Sequence, residues 1–72
     1  MNTITVDARG LSCPEPAMQT RQALMKLKQG TVIVLVDSIT SRDNVSRTAK
    51  LAGWQAASQD QPDGSYQVTL TR

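Results

Sequence analysis

The 72-residue sequence contains no histidine and no phenylalanine, and it has only one cysteine, one tryptophan and one tyrosine. The absence of histidine excludes a Ser-His-Asp triad, a Cys-His dyad and a metal site built on imidazole. A lone cysteine, Cys13, cannot form an internal disulfide, whereas small secreted domains usually depend on several. Two aromatic side chains are too few for the stacking platforms that bind single-stranded nucleic acids. If Cys13 is reactive, a group other than imidazole must stabilise its thiolate.

Long apolar runs are also absent. The longest is Val32–Val36, far shorter than the roughly 18 residues of a membrane span, and Met1–Thr5 lacks the features of a signal peptide. The net charge of +2 is too small to indicate nucleic-acid binding. We therefore expect a cytoplasmic protein that binds neither membranes nor, directly, nucleic acids. Residues 1–72 are expected to form one domain, too small to enclose haem or flavin, and we expect no cofactor and no metal.

Hydrophobic periodicity predicts the element order βαβαββ. The predicted strands are Thr3–Asp7, Thr31–Val36, a weaker strand Trp54–Ser58, and Tyr66–Thr71. Two loops are predicted, Asp37–Thr40 before the second helix and Asp60–Ser65 before the last strand. The first helix is predicted from about Cys13 to about Lys28, with Pro14 at its first helical position. The second is predicted to be capped by Ser41 and to end at Gly53.

This order predicts a mixed four-stranded sheet, because two crossovers and a terminal hairpin fit that arrangement. The chain is too short to cover both faces, so we expect both helices on one face, in a two-layer α/β sandwich. Thr31–Val36 has the composition of an interior strand. We expect its residues Val32, Val34 and Val36 to leave one apolar face partly exposed. Asp43 is expected in the first turn of the second helix, where a negative charge is favourable.

Cys13 lies at the predicted start of the first helix, directly before Pro14. The free N–H groups of a helix start favour a thiolate or persulfide anion, so we expect a Cys13 pKa below that of a free thiol. Gly10 would permit a tight backbone approach, and Arg9 would add positive charge nearby. The alternative is that Cys13 is a small buried hydrophobe, as single cysteines usually are.

The segment Asp7–Pro16 reads Asp-Ala-Arg-Gly-Leu-Ser-Cys-Pro-Glu-Pro and resembles the signature of the TusA/SirA/YedF family of small sulfur carriers. The length and the predicted element order agree over the whole chain. The stretch Val36-Asp37-Ser38, with Asn44-Val45 and Gly53-Trp54, is similar to the YedF-like branch. The resemblance implies that a cysteine in a Cys-Pro-x-Pro motif holds sulfane sulfur as a persulfide, and this cysteine is Cys13.

The other motif positions follow from the same resemblance. Pro14 and Pro16 match the two prolines, and Glu15 fills the variable position between them. The flanking signature is matched by Asp7, Gly10 and Leu11, where we expect structural support rather than chemistry.

The resemblance further implies a sulfur-donor protein, such as a cysteine desulfurase or a rhodanese, and a sulfur-acceptor protein. It leaves the pathway open among tRNA thiolation, molybdenum-cofactor sulfuration, sulfur oxidation and selenium metabolism. Turnover would need both partners, so the chain would act as a sulfurtransferase only together with them. Two other functions fit the residues: a small regulatory or nucleic-acid-binding module with an incidental cysteine, and a thiol redox sensor that forms intermolecular disulfides.

Helical spacing places Met18, Arg21 and Met25 to one side of the apolar stripe of the first helix. Adaptable methionines beside a cation could form a docking patch for the sulfur donor. The alternative is that both methionines cover the rim of the core.

Overall fold

The computed structural model describes residues 2–12 and 14–72. The described elements are, in chain order, β1 Thr3–Asp7, α1 Glu15–Leu27, β2 Thr31–Val36, α2 Ile39–Leu51, β3 Gln55–Asp60 and β4 Tyr66–Thr71. This is the predicted βαβαββ order. The bounds of β1, β2 and β4 are those predicted, and β3 lies slightly later than expected. No helix in these ranges is long and apolar enough to cross a membrane.

The four strands form one mixed sheet in the order β1-β2-β4-β3. Strands β1 and β2 are parallel, while β4 runs antiparallel to both β2 and β3. Helix α1 packs on β1 and β2, α2 packs on β2, β3 and β4, and the helices contact each other. The predicted two-layer α/β sandwich with an interior β2 is therefore confirmed.

The two faces of the sheet differ in burial. Val32, Val34 and Val36 point to the helices and have no exposed surface. The prediction that these three valines leave an apolar face partly exposed is therefore wrong. Side chains alternate along a strand, so Ile33 and Leu35 occupy the opposite, helix-free face, where both are half-buried. Neighbouring strands place mostly threonine and glutamine beside them.

Helix α2 begins about one turn earlier than predicted. Ser38 has an extended backbone, and its side-chain oxygen accepts a hydrogen bond from the Ser41 N–H at 3.1 Å. Ser38 is thus the N-cap, Ser41 lies inside the helix and is buried, and Asp43 falls beyond the first turn. The predictions for Ser41, Asp43 and the loop Asp37–Thr40 are wrong in this respect. Two serines can satisfy the same capping pattern, and the burial of Ser41 against the core decides between them.

The end of α2 agrees with the prediction. Gly53 has a φ of +86°, and its N–H donates to the Lys50 carbonyl oxygen at 3.1 Å. The Trp54 N–H donates to the Ala49 carbonyl oxygen at 2.9 Å. These two hydrogen bonds form a Schellman motif, which needs a left-handed residue at the position of Gly53. Trp54 then turns into the core and is 4% exposed.

Helix α1 begins at Glu15, with Pro14 as the N-cap residue, so Pro14 lies one position before its predicted place. The Pro14 backbone, at φ −97° and ψ 17°, is not helical, but its carbonyl oxygen accepts from the Met18 N–H at 3.0 Å. Pro16 occupies the first turn, where a missing N–H costs no helical hydrogen bond. The predicted N-cap, Cys13, lies outside the described residues.

The connection from α1 to β2 depends on Gly30. Its φ is +128°, and a Cβ atom there would lie 2.6 Å from the Asn2 carbonyl oxygen. The Gly30 N–H and carbonyl oxygen also pair with Arg72, both at 3.1 Å. Only glycine fits this crossing of three backbone segments.

Candidate functional site

The residues predicted around Cys13 meet at one end of the sandwich. Strands β1 and β2 are parallel, so the loops that follow Asp7 and Val36 leave the sheet at the same edge. The β3–β4 turn reaches this edge too, because Tyr66 pairs with both Val36 and Asp60. Helices α1 and α2 start from this end. We call it the motif end.

Asp7 and Arg9 form a two-pronged ion pair at the motif end. The Arg9 Nε donates to Asp7 Oδ1 and its Nη2 donates to Oδ2, each at 2.9 Å, and the Arg9 N–H donates to Oδ1 at 3.2 Å. Hydrogen bonding from the Arg9 side chain, and then from its backbone N–H, lowers the pKa of Asp7 from 3.8 to about 2. Asp7 therefore stays ionised at every pH at which the protein would function, and it fixes the first residues of the loop.

The same guanidinium lies near a second carboxylate. Arg9 Nη1 is 3.9 Å from Asp63 Oδ2 in the β3–β4 turn. The Asp63 carboxylate also accepts hydrogen bonds from the Ser65 side chain at 2.6 Å and from the Ser65 N–H at 3.0 Å, and these lower its pKa. Asp7, and to a smaller extent Asp63 and Asp37, raises the pKa of Arg9. The positive charge of Arg9 is thus surrounded by carboxylates, and its predicted contribution to a thiolate stays a prediction.

A long-range hydrogen bond holds the middle of the loop. The Gly10 N–H donates to Asp37 Oδ2 at 2.7 Å, so the loop after β1 is attached to the residue that follows β2. Gly10 has a φ of +78°, a conformation that other residues rarely adopt. On either side of it, buried Ala8 donates to the Leu35 carbonyl oxygen at 2.8 Å, and Leu11 packs against the core. These contacts hold Gly10 and Leu11 in place, and their supporting role in the motif stays a prediction.

The residues on both sides of Cys13 are attached to each other. The Glu15 N–H donates to the Ser12 carbonyl oxygen at 2.9 Å. Ser12, Pro14 and Glu15 are exposed, whereas Pro16 is buried and its carbonyl oxygen accepts from Thr20 Oγ1 at 2.8 Å. The described neighbours of Cys13 are therefore at the surface, and the chain is anchored in the core at Pro16.

The predicted docking residues lie on one exposed side of α1. Met18 is 51% exposed and Met25 is 66% exposed, and Arg21 is exposed between them. Met18 and Arg21, together with α2, flank a groove of about 450 Å³, which we call the interhelical groove. It is lined by residues of both helices: Ala17, Met18, Arg21, Thr48, Leu51 and Ala52. Both methionines are more than half exposed, and docking at this surface stays a prediction.

Sequence reasoning did not find the contacts of Asp37 and Asp63 with the Cys13 loop. Asp37 directly follows the buried strand β2, and Asp63 lies in a Pro-Asp-Gly turn, so the sequence places both only in loops. Their partners depend on which strands neighbour each other. Within residues 2–12 and 14–72, no three acidic or cysteine side chains are placed to hold a metal ion.

Comparison with known proteins agrees with the fold and with the family that the sequence resembles. A family model described as "Sulfurtransferase TusA" matches residues 4–72. A Thermotoga maritima protein named "Putative sulfur carrier protein" is 36% identical over 52 residues, which are 71% of this chain and 66% of that protein, just under two thirds of its length. The crystal structure of a SirA-like protein from Desulfitobacterium hafniense matches with a TM-score of 0.90 at 37% identity. The match covers 94% of this chain and 95% of that one.

Proposed function

The chain belongs to the TusA family, and from this we propose that it is a sulfur carrier in which Cys13 accepts sulfane sulfur as a persulfide and relays it to an acceptor protein. The observation that carries the proposal is the attachment of the chain on both sides of Cys13. The Gly10–Asp37 hydrogen bond holds the preceding loop, and the Ser12–Glu15 hydrogen bond leads into α1. Neighbours held at the surface on both sides suit a residue that must reach into a partner's active site.

The proposed loading step conserves atoms and electrons. The Cys13 thiolate attacks the outer sulfur of a persulfide on the donor, the donor's S–S bond breaks, and the donor leaves as a thiolate. A new S–S bond now joins Cys13 to the transferred sulfur. In the second step an acceptor thiolate attacks that outer sulfur, and Cys13 leaves as a thiolate. Neither step consumes an oxidant, a reductant or a cofactor.

The electrostatics of α1 favour both anionic forms of Cys13. The helix starts two residues after Cys13, at Glu15. Its N-terminal end carries roughly half a positive charge, which stabilises a nearby thiolate or persulfide. The chain has no histidine, so no imidazolium is available to stabilise the Cys13 thiolate in place of the helix end.

The remaining residues have supporting roles in this proposal. Asp7, Arg9, Gly10 and Leu11 hold the loop, and the motif prolines restrict the chain after Cys13. The partners are a donor, either a cysteine desulfurase or a rhodanese, and an acceptor protein, and the donor contacts Met18, Arg21 and Met25. We place the carrier in the cytoplasm, with residues 1–72 as one carrier domain.

Intact mass spectrometry tests the loading step. The protein is incubated with a cysteine desulfurase and free cysteine, then measured without reductant. We expect a gain of one sulfur atom, which is lost on treatment with dithiothreitol, and no gain in the Cys13→Ser variant. Ser12→Ala is the matched control, because it changes the neighbouring exposed residue and should load as the wild type does. Loading of Cys13→Ser, or no loading of the wild type by either a desulfurase or a rhodanese, would contradict the proposal.

A further inference from the structure

The interhelical groove continues toward the end of the molecule opposite the motif end. A second segment of about 540 Å³ shares Arg21 and Ala52 with the first. It passes over Trp54 and ends at Lys28 and Arg72. The two segments together follow most of the length of α1, which is about 20 Å for a helix of 13 residues.

The groove gathers exposed apolar side chains. Across residues 2–12 and 14–72, four large hydrophobic side chains are exposed, and Met18, Met25 and Leu51 line the groove. Leu51 is the last residue of α2 before its C-cap, and it is 83% exposed. Three such side chains around one concave surface are typical of a protein interaction site rather than of scattered surface residues.

The charge around the groove has one sign. Its lining includes Arg21, Lys28 and Arg72 and no acidic side chain. Arg72 is held in place, because its Nη1 donates to the Ala52 carbonyl oxygen at 3.3 Å and its backbone pairs with Gly30. The described part of the chain offers Arg21 and Lys28 no ion-pair partner.

The acidic side chains lie outside the groove lining, at strand ends, in loops or in the first two turns of the helices. They are Asp7, Glu15, Asp37, Asp43, Asp60 and Asp63. The groove therefore has an apolar floor and cationic flanks with nothing on its own surface to neutralise them.

We propose that the interhelical groove binds an acidic amphipathic helix of a partner protein. Apolar side chains of that helix would pack against Met25 and Leu51, and its carboxylates would pair with Arg21, Lys28 and Arg72. A third helix could pack on this surface in the way helices pack on one another, with the side-chain ridges of one in the grooves of the next. The apolar floor favours a protein over a nucleic acid, whose phosphates would pair with the cations but leave Leu51 and the methionines in water.

The inference rests on the proposed function only in that a sulfur carrier needs partners. Contacts reaching as far as Lys28 and Arg72 would hold a partner at the end away from Cys13. The groove shares Met18, Arg21 and Met25 with the proposed donor contacts, so the two proposals meet on one surface. Docking and loading are separable by experiment, because peptide binding needs no sulfur on Cys13.

The test uses the Cys13→Ser protein, so that sulfur loading plays no part in the result. The probe is a synthetic helical peptide of about 14 residues, long enough to follow α1, with leucines on one face and glutamates beside them. Trp54 is the only tryptophan and lines the groove, so its fluorescence reports binding, and backbone amide shifts locate the peptide. The controls are the same peptide with lysine in place of glutamate, and a single-stranded RNA oligonucleotide.

We expect the acidic peptide to bind in the groove and the lysine peptide and RNA not to. Leu51→Ser should weaken binding about tenfold, since it removes a side chain that the peptide buries. Lys28→Glu should weaken it at least about threefold at low salt, while Arg47→Glu, the same charge change outside the groove, should have no effect. Binding of both peptides alike, equal effects of Lys28→Glu and Arg47→Glu, or preferred binding of RNA would overturn the inference. Because wild-type loading is measured separately, such a result would leave the sulfur-carrier proposal standing.

Discussion

Removing the Asp37 carboxylate should loosen the loop that leads to Cys13. The Gly10 N–H donates to Asp37 Oδ2 at 2.7 Å, which is the short end of the range for hydrogen bonds to carboxylates. Such bonds contribute about 1.5–3 kcal/mol when protected from water. Both residues here are exposed, so we expect Asp37→Ala to lower the free energy of unfolding by about 1 kcal/mol. For a domain of this size, that corresponds to a fall in Tm of about 4–8 °C.

Urea denaturation and the amide proton shift of Gly10 measure the two parts of this prediction. Asp37→Asn keeps an oxygen acceptor without the charge, so its loss of stability should be about half that of the alanine variant. Asp43→Ala is the control: among the described residues Asp43 forms an ion pair with the adjacent Arg42 on the surface, and the change should cost no more than about 0.5 kcal/mol. Sulfur loading should be slower in Asp37→Ala. Wild-type stability together with an unchanged Gly10 amide shift would refute the attachment.

Three further predictions concern the loop, the α1–β2 connection and the start of α2. The Asp7 carboxyl should titrate near pH 2 by ¹³C NMR, and Arg9→Gln should return its pKa toward 3.8. The ionised carboxyl should stabilise the folded protein above about pH 4, and this stabilisation should be lost as the pH falls to 2. A wild-type midpoint near 3.8 would contradict the ion pair. Gly30→Ala should lower the free energy of unfolding by about 3 kcal/mol, because it adds a backbone clash to an unfavourable φ. Gly64→Ala, which has open space around it and also a positive φ, should cost about 1 kcal/mol. Equal losses would argue against the clash. Ser38→Ala should cost about 1 kcal/mol in thermal melting and Ser38→Asp almost nothing; an unaffected alanine variant would show that Ser38 is not the cap.

The strands could be predicted closely because their signals are local. Alternation in Thr3–Asp7 and Tyr66–Thr71 and the apolar run in Thr31–Val36 set their bounds. Helix starts were less predictable. Ser38 and Ser41 are both good caps, and only packing against the sheet selects the first. Pro14 fits both the N-cap and the first helical position, so local preference could not separate the two.

The site was also predictable only where its residues are neighbours in the sequence. The Asp7–Pro16 motif identifies the loop around Cys13, since its residues are contiguous in sequence. The partners that fix the loop are distant in the sequence. Asp37 and Gly10 are 27 positions apart, and Asp63 reaches Arg9 only through the β3–β4 turn. These contacts follow from the strand order, and no spacing in the sequence encodes them.

The central claim is that sulfur on Cys13 is held reversibly and passed to a nucleophile. The most direct measurement loads the protein, removes the donor and then adds cyanide, which attacks the outer sulfur of a persulfide and releases thiocyanate. We expect one thiocyanate for each loaded chain and a return of the intact mass to that of the free thiol. Sulfur that stays on the chain after cyanide, or an equal yield of thiocyanate from the Cys13→Ser protein, would contradict the account.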